Sequence, residues 1–328
     1  MSTTTGPAKP VSGHPLFSFG FRPFFLLGAL CALLVLPAWV AVFQLGVSVS
    51  FIEIGVFWHV HEMVFGYGGA VIAGFLLTAI PNWTGRAPIC GLPLFLLVLV
   101  WFVGRLALLL TVFPDMLSAL VDTVFLVVLS SLVWREILAA QNRRNMKVAV
   151  AVSLFALANA LFHEAVLFAP DMLHTAIRFG LAVLFFLVLL IGGRITPAFT
   201  RNWLKRHAKP ETVTVDWFDD AVLALSGVGL SGWVLLPDHP VTAIVLIVAG
   251  LSTLYRMGRW RGLSILSEPL LFALHIAYAW AGAAFLLLGG SSLSPALVPP
   301  LAGTHAVVAG AVGVMTVAVM ARATLGHT

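Results

Sequence analysis

Residues 21–46, FRPFFLLGALCALLVLPAWVAVFQLG, decide the fold of this chain, because Arg22 is the one charged residue in the stretch. At 1.5 Å per residue, a helix of about 20 residues crosses the roughly 30 Å hydrocarbon core of a bilayer. The stretch also lacks the alternation of polar and apolar residues that marks a membrane β-strand. It therefore predicts a transmembrane α-helix.

The rest of the chain repeats this pattern. Of the 328 residues, 60% are hydrophobic and 9% are charged, with a mean hydropathy of +1.04, whereas a soluble domain carries about 25% charge. Ten apolar runs are long enough to span a bilayer: 21–46, 56–80, 92–113, 116–139, 147–169, 173–193, 217–237, 240–256, 269–290 and 296–322. We predict an all-α polytopic transmembrane helix bundle, with a polar N-terminal segment over 1–20 and a single transmembrane domain over 21–328.

The loops between these spans differ in charge. If the N-terminus is cytoplasmic, the inner face receives 16 of the 18 Lys and Arg residues. The outer loops contain the acidic residues Glu53, Asp115, Asp171 and Asp238 and no Lys or Arg. This asymmetry satisfies the positive-inside rule and predicts that orientation. A basic inner face beside anionic lipid accounts for the net charge of +5 without a nucleic-acid partner.

Segment ends, the N-terminal sequence and the cysteines add three smaller predictions. Pro and Gly within 192–203 predict that the sixth span ends there. The first 20 residues lack the basic start and cleavage site of a signal peptide, so the first run is expected to remain as a span. Cys31 and Cys90 give no disulfide framework.

Two arginines, Arg105 and Arg178, fall inside spans at a depth similar to Asp122 and Glu164. Charges within a bilayer normally have a partner, so a structural Arg–Asp or Arg–Glu pair is one interpretation. In the other, the arginines bind carboxylates of a ligand such as haem, because the guanidinium fork matches a carboxylate.

Histidines concentrate at one side of the predicted bilayer. Five histidines from four different spans lie near its outer side: His59, His61, His163, His174 and His305. His275 lies about two turns from the inner end of the ninth span. A single helical histidine is usually a packing residue, but five at one depth favour a metal or haem site.

The stretch WHVHEM (58–63) contains the densest group of candidate ligands. At about 100° per residue, His59 and His61 point roughly 200° apart on a regular helix. His59, Glu62 and Met63 share one face, and His61 looks the other way. Either the first turn unwinds and both histidines reach one metal, or each serves a different centre. Glu62 is a candidate proton donor, or else a charge that complements the helix dipole.

Several stretches together resemble the NnrS family of bacterial membrane proteins. They are HPLFSFGFRPFFLLG (14–28), WHVHEMVFG (58–66), GFLLTAIPNWTGR (74–86), GGRITPAFTRNW (192–203), SEPLLFALHIAYAW (267–280) and THAVVAGAVGVMTVAVMARATLGHT (304–328). The resemblance implies a haem- and copper-containing protein of the bacterial cytoplasmic membrane, linked to nitric oxide and nitrosative stress. It also implies about twelve helices, so we expect this chain to lack a C-terminal pair.

The family's histidine motifs fall on six positions of this chain: His14, His59, His61, His275, His305 and His327. Each is a candidate ligand of either metal. We expect b-type haem to be held by histidines of different spans, among His61, His275 and His305. Arg105 and Arg178 are the candidates for anchoring its propionates.

Copper is expected near His59, with Met63 and Glu62 on the same helical face, and His14 and His327 are further metal candidates. Glu62 is the candidate catalytic residue. The leading hypothesis is an oxidoreductase that takes nitric oxide from the lipid and metabolises it, with an electron donor still to be named. The alternatives are a non-enzymatic haem and copper protein that scavenges or senses nitric oxide or handles metal, and a transporter whose buried charges bind a substrate.

Overall fold

The computed structural model describes residues 14–47, 54–210, 212 and 214–326. Across these residues the chain is helical and contains no β-strand. Ten helical segments of the described chain are long and apolar enough to cross a membrane. The predicted all-α bundle of ten spans is therefore confirmed, while the cytoplasmic N-terminus stays a prediction.

The helices, in chain order, are α1 Phe21–Leu45, α2 Val56–His61, π1 Glu62–Tyr67, α3 Gly68–Thr84, α4 Leu92–Leu109, α5 Asp115–Ala139, α6 Met146–Phe168, α7 Leu173–Arg206, α8 Trp217–Leu235, α9 Pro240–Gly258, α10 Pro269–Leu293, α11 Pro300–His305, π2 Ala306–Gly313 and α12 Val314–Gly326. The second span consists of α2, π1 and α3, and the tenth consists of α11, π2 and α12. Short 3₁₀ turns precede α1, α6, α7 and α10.

The expected end of the sixth span within 192–203 is wrong, because α7 continues through this stretch to Arg206. Pro197 lies inside the helix and has no N–H to donate to the carbonyl of Gly193. Arg256 of α9 donates to that carbonyl instead, at 3.1 Å. A donor from a neighbouring helix thus satisfies the backbone group that the proline leaves, and the helix does not need to end.

The chain forms two compact units, one up to Ala160 and one from Leu161. In unit 1, α4 packs on α5, α1 packs on α3, and π1 contacts α1, α3 and α4. In unit 2, α10 is the central helix and contacts α7, α9, α11, π2 and α12. Both π-helices therefore lie against several neighbours inside their own unit.

The two π-helices occupy corresponding places in their spans. π1 begins directly after His61, and π2 begins directly after His305. A π-helix bonds each carbonyl to the amide five residues on, so it inserts an extra residue into the turn and is frequently found at functional sites. In both spans the wide turn follows a histidine singled out from the sequence.

Candidate functional site

A group of charged and polar side chains lies buried in unit 1, and we call it the unit 1 cluster. His61 and Glu62 come from the junction of α2 and π1, Arg105 from α4, Asp122 from α5 and Asn159 from α6. His61, Glu62, Asp122 and Asn159 are each at most 2% exposed. Four helical segments thus place their polar residues together in an otherwise apolar interior.

Arg105 joins the two acids of the cluster. One terminal nitrogen of its guanidinium donates to Glu62 Oε1 at 2.9 Å, and the other contacts Asp122 Oδ1. The ring of Trp101, one turn earlier on α4, lies 5.8 Å from the guanidinium carbon. The structural Arg–Asp pair expected from the sequence is therefore present for this arginine, and the glutamate that it binds is Glu62, which the sequence had not matched to it. Its Nε is buried and has no hydrogen-bond partner within the described residues.

His61 lies between the two carboxylates. Its Nε2 is 2.8 Å from Asn159 Oδ1 and 3.1 Å from Asp122 Oδ2, while its Nδ1 is 3.7 Å from Glu62 Oε1. Asn159 also donates from Nδ2 to Asp122 Oδ2 at 2.8 Å. His163, which is buried too, follows Asn159 by one turn of α6. Asn159 gave no signal in the sequence, since one amide in an apolar helix is indistinguishable from a packing residue.

The unit 1 cluster contains two acids and one arginine. Glu62 and Asp122 bring two negative charges and Arg105 brings one positive charge, so these three side chains sum to −1. Charge in a low-dielectric interior is costly unless it is paired. A bound metal cation, or a proton on a neighbouring imidazole, would add positive charge here. Imidazole nitrogen and carboxylate oxygen are ligand atoms that transition metals accept, so the donor set fits a metal cation.

A glycine of π1 makes room for this arrangement. A Cβ at Gly66 would lie 2.6 Å from a terminal nitrogen of Arg105 and 2.7 Å from Glu62 Oε2. The carbonyl of Gly66 accepts a hydrogen bond from Trp101 Nε1 at 3.0 Å. Cys31 of α1 lies on another side of Glu62, with Sγ 3.9 Å from Oε2. The bare backbone at this position is what admits the guanidinium.

His59 faces a different environment from His61. Its ring stacks on Trp39 of α1, with centroids 5.5 Å apart and planes 15° from parallel. The two histidines of the motif therefore point apart, as helical geometry predicted. Glu62, which was expected to share a face with His59, lies beside His61 and is bound by Arg105.

Unit 2 contains the other two histidines expected to bind haem. His275 is buried on α10, with Nδ1 3.1 Å from the carbonyl of Leu271 and Nε2 3.4 Å from Thr200 Oγ1. His305 is exposed at the end of α11, with Nδ1 2.7 Å from the carbonyl of Leu301. A carbonyl only accepts, so Nδ1 carries the proton in both rings and Nε2 carries the lone pair that a metal needs.

These two histidines cannot bind the same iron atom. The last span runs antiparallel to α10, because Gly303 packs against Leu288 and Gly310 against Trp280. His275 lies 13 residues before Leu288 on α10, which is about 20 Å along the axis. A haem shared by His275 and His305 is therefore excluded, since its two axial nitrogens lie only a few ångströms apart.

Unit 2 also has a buried ion pair, but its charges balance. Arg256 donates from Nε to Asp219 Oδ1 at 2.6 Å and from a terminal nitrogen to the hydroxyl of Tyr278 at 2.7 Å. Arg259 also approaches Asp219, at 3.8 Å, and pairs with Asp216, so two guanidinium groups face two carboxylates. The remaining nitrogen of Arg256 donates to the carbonyl of Gly193. This group therefore has a structural role, in contrast to the unit 1 cluster.

The remaining candidates are spread over the molecule. His14 is exposed and accepts a hydrogen bond from the backbone N–H of Leu16 at 3.3 Å, at the start of a short 3₁₀ turn. Arg178 of α7 donates to Thr175 Oγ1 at 3.1 Å, and its buried Nε has no hydrogen-bond partner within the residues that the structure describes. His327 lies outside the described residues.

Fold and site together define a polytopic helical membrane protein with a buried cluster of imidazole and carboxylate groups. The family profile described as NnrS protein matches residues 15–328, so the chain belongs to the NnrS family, and the resemblance seen in the sequence is confirmed. Comparison with curated proteins and with solved structures gave no match.

Proposed function

We propose that this protein uses haem and copper to bind and metabolise nitric oxide within the bacterial cytoplasmic membrane, and so protects the cell against nitrosative stress. The observation that carries the proposal is the unit 1 cluster, in which His61 lies between two buried carboxylates that Arg105 joins. Membership in the NnrS family is consistent with a role related to nitric oxide. Nitric oxide is small and apolar, so it can reach such a site from the lipid.

The residues of the unit 1 cluster divide into ligands and supports. Copper would be held by the carboxylate of Asp122 and by His61, whose Nε2 would exchange the proton that it donates to Asn159 Oδ1 for the metal. His59 and Met63 would be candidate ligands apart from this pair. A redox metal there would supply an electron exchange with nitric oxide and polarise its N–O bond. Glu62 is the group that would hold and deliver a proton, 3.7 Å from the imidazole. Arg105 fixes the position of both carboxylates.

Haem would be held by a histidine of unit 2. His275 and His305 both present Nε2 with its lone pair, and His305 is open on one side. The group would be b-type, because neither cysteine starts a C-x-x-C-H motif. Arg178, which lies in the same unit and has a buried Nε, is the candidate for binding its propionates.

Two measurements on purified protein test the proposal. The absorption spectrum and metal analysis should show haem and copper, and His61→Ala and Asp122→Asn should lower the copper content while His239→Ala, at an exposed position outside the candidate set, should not. Nitric oxide consumption with a reductant should exceed the amount of haem many times over. Consumption that stops at one equivalent would remove the enzymatic part and leave a scavenger or sensor, and a metal-free protein would refute the whole proposal.

A further inference from the structure

The second and tenth spans share a local design. In each, a six-residue α-helix ends at a histidine, a π-helix follows at once, and an α-helix completes the span. The two histidines are 244 positions apart, and both α-to-π junctions keep this offset. The sequences match as His-x-x-Val-x-Gly-x-x-Gly, which reads HEMVFGYGG over 61–69 and HAVVAGAVG over 305–313.

The glycine five positions after each histidine has the same use. At Gly66 the missing Cβ admits Arg105 of α4, and at Gly310 it admits the ring of Trp280 of α10, 2.7 Å from where a Cβ would be. Small residues alone are common in membrane helices. Well under 1% of residues in proteins lie in π-helices, however, so two π-helices with the same register and the same marker residues indicate a common element.

We infer that residues 56–69 and 300–313 are two copies of one histidine-presenting element, one in each unit, and that His305 is the unit 2 counterpart of His61. The inference deepens the proposed function and rests on it, because it assigns the two metals to two separate positions. The assignment rests on the neighbours of each histidine. His61 has charged side chains beside it, whereas the residues in the corresponding places near His305 are uncharged.

In unit 1 the element places His61 beside Glu62, Arg105 and Asp122, and this set of imidazole and carboxylate groups suits a metal cation. In unit 2 the position of Glu62 is taken by Ala306 and that of Arg105 by Trp280. Apolar and aromatic neighbours suit a flat, largely apolar macrocycle, and the exposed imidazole of His305 offers Nε2 as an axial ligand. Copper therefore belongs to His61 and haem to His305.

The test measures both metals in the purified full chain, with haem taken from the spectrum of its pyridine complex and copper from elemental analysis. His305→Ala should lower haem at least tenfold and leave copper unchanged, and His61→Ala should do the reverse. The retained metal in each variant shows that the protein has folded. Because His305 is exposed, added imidazole should restore the haem spectrum to His305→Gly.

Two glycine variants test the element rather than the ligand. Gly310→Leu forces a side chain into the Trp280 ring and should lower haem without lowering copper. The control is Gly227→Ala in the same unit, where a Cβ would make an ordinary 3.6 Å contact with Phe186 and both metals should be retained.

The outcomes distinguish a wrong metal assignment from a wrong proposed function. Full haem in His305→Ala, or loss of both metals together in either histidine variant, overturns the assignment while the proposed function stands. A wild-type chain with neither metal would instead overturn the proposed function.

Discussion

Replacing Arg105 by leucine should destabilise this protein more than any single change at the other members of the unit 1 cluster. The substitution leaves Glu62 and Asp122 facing one another with no guanidinium between them, in a site where both side chains are at most 3% exposed. Removing one partner of a buried ion pair lowers the free energy of unfolding by about 3–5 kcal/mol. Because two carboxylates lose the same guanidinium, we expect the upper end, about 5 kcal/mol.

The same charge count predicts a smaller loss of stability for Asp122→Asn. That change leaves one guanidinium and one carboxylate, so the cluster becomes neutral, and the amide can still accept from Arg105. The loss should then be about 1–3 kcal/mol, the range for a perturbed buried hydrogen bond. The order of the two variants thus follows from the net charge that each leaves in the cluster, and not from how many hydrogen bonds each removes.

Reversible unfolding in detergent micelles, followed by tryptophan fluorescence during a denaturant titration, measures both values. Arg135→Leu is the matched control: its side chain is 59% exposed and pairs with Glu136, so its effect should be within about 1 kcal/mol. The reasoning fails if Arg105→Leu is no worse than this control, or if Asp122→Asn is the more destabilising of the two buried changes.

Two further predictions concern a loop and a glycine. Arg259 donates to Asp216 and holds the pKa of that carboxyl below its usual range, so the stabilisation should be complete above about pH 4 and fall as the pH drops further. Acid titration of the unfolding midpoint should show a smaller fall in Arg259→Gln than in wild type, because the backbone N–H of Phe218 still donates to Asp216 in the variant. Gly66→Ala should destabilise by about 1–3 kcal/mol because its Cβ meets Arg105, whereas Gly28→Ala, with contacts of 3.5 Å, should change the same unfolding midpoint little.

Hydropathy was sufficient to predict the ten spans but not to predict where each helix ends. A window of apolar residues registers the energy of transfer into lipid, which is a local property, and all ten spans were predicted from it. The end of α7 depends instead on Arg256, a residue of another span that bonds to the carbonyl of Gly193. No local pattern around Pro197 contains that information.

The candidate site was predictable in part, where a residue's own chemistry requires a partner. An intramembrane arginine requires a counter-charge, so Arg105 and Asp122 could be matched by depth before the structure. Asn159 could not, because an amide is cheap enough to occur in a helix without a special partner. The π-helices also left no recognisable pattern in one copy; the shared residues of 61–69 and 305–313 gained meaning only once both junctions were seen.

The cluster around Arg105 also has a consequence for biosynthesis. Glu62 leaves the ribosome 43 residues ahead of Arg105, so the second span enters the membrane while its acid still has no counter-charge. A charged residue at mid-membrane opposes insertion by about 2.5–3.5 kcal/mol. Arg105 and Asp122 follow on consecutive helices, which can insert as a hairpin with its charges already matched. We therefore expect the second span to remain at the insertion machinery until Arg105 has been synthesised, and the second, third and fourth spans to enter the lipid together.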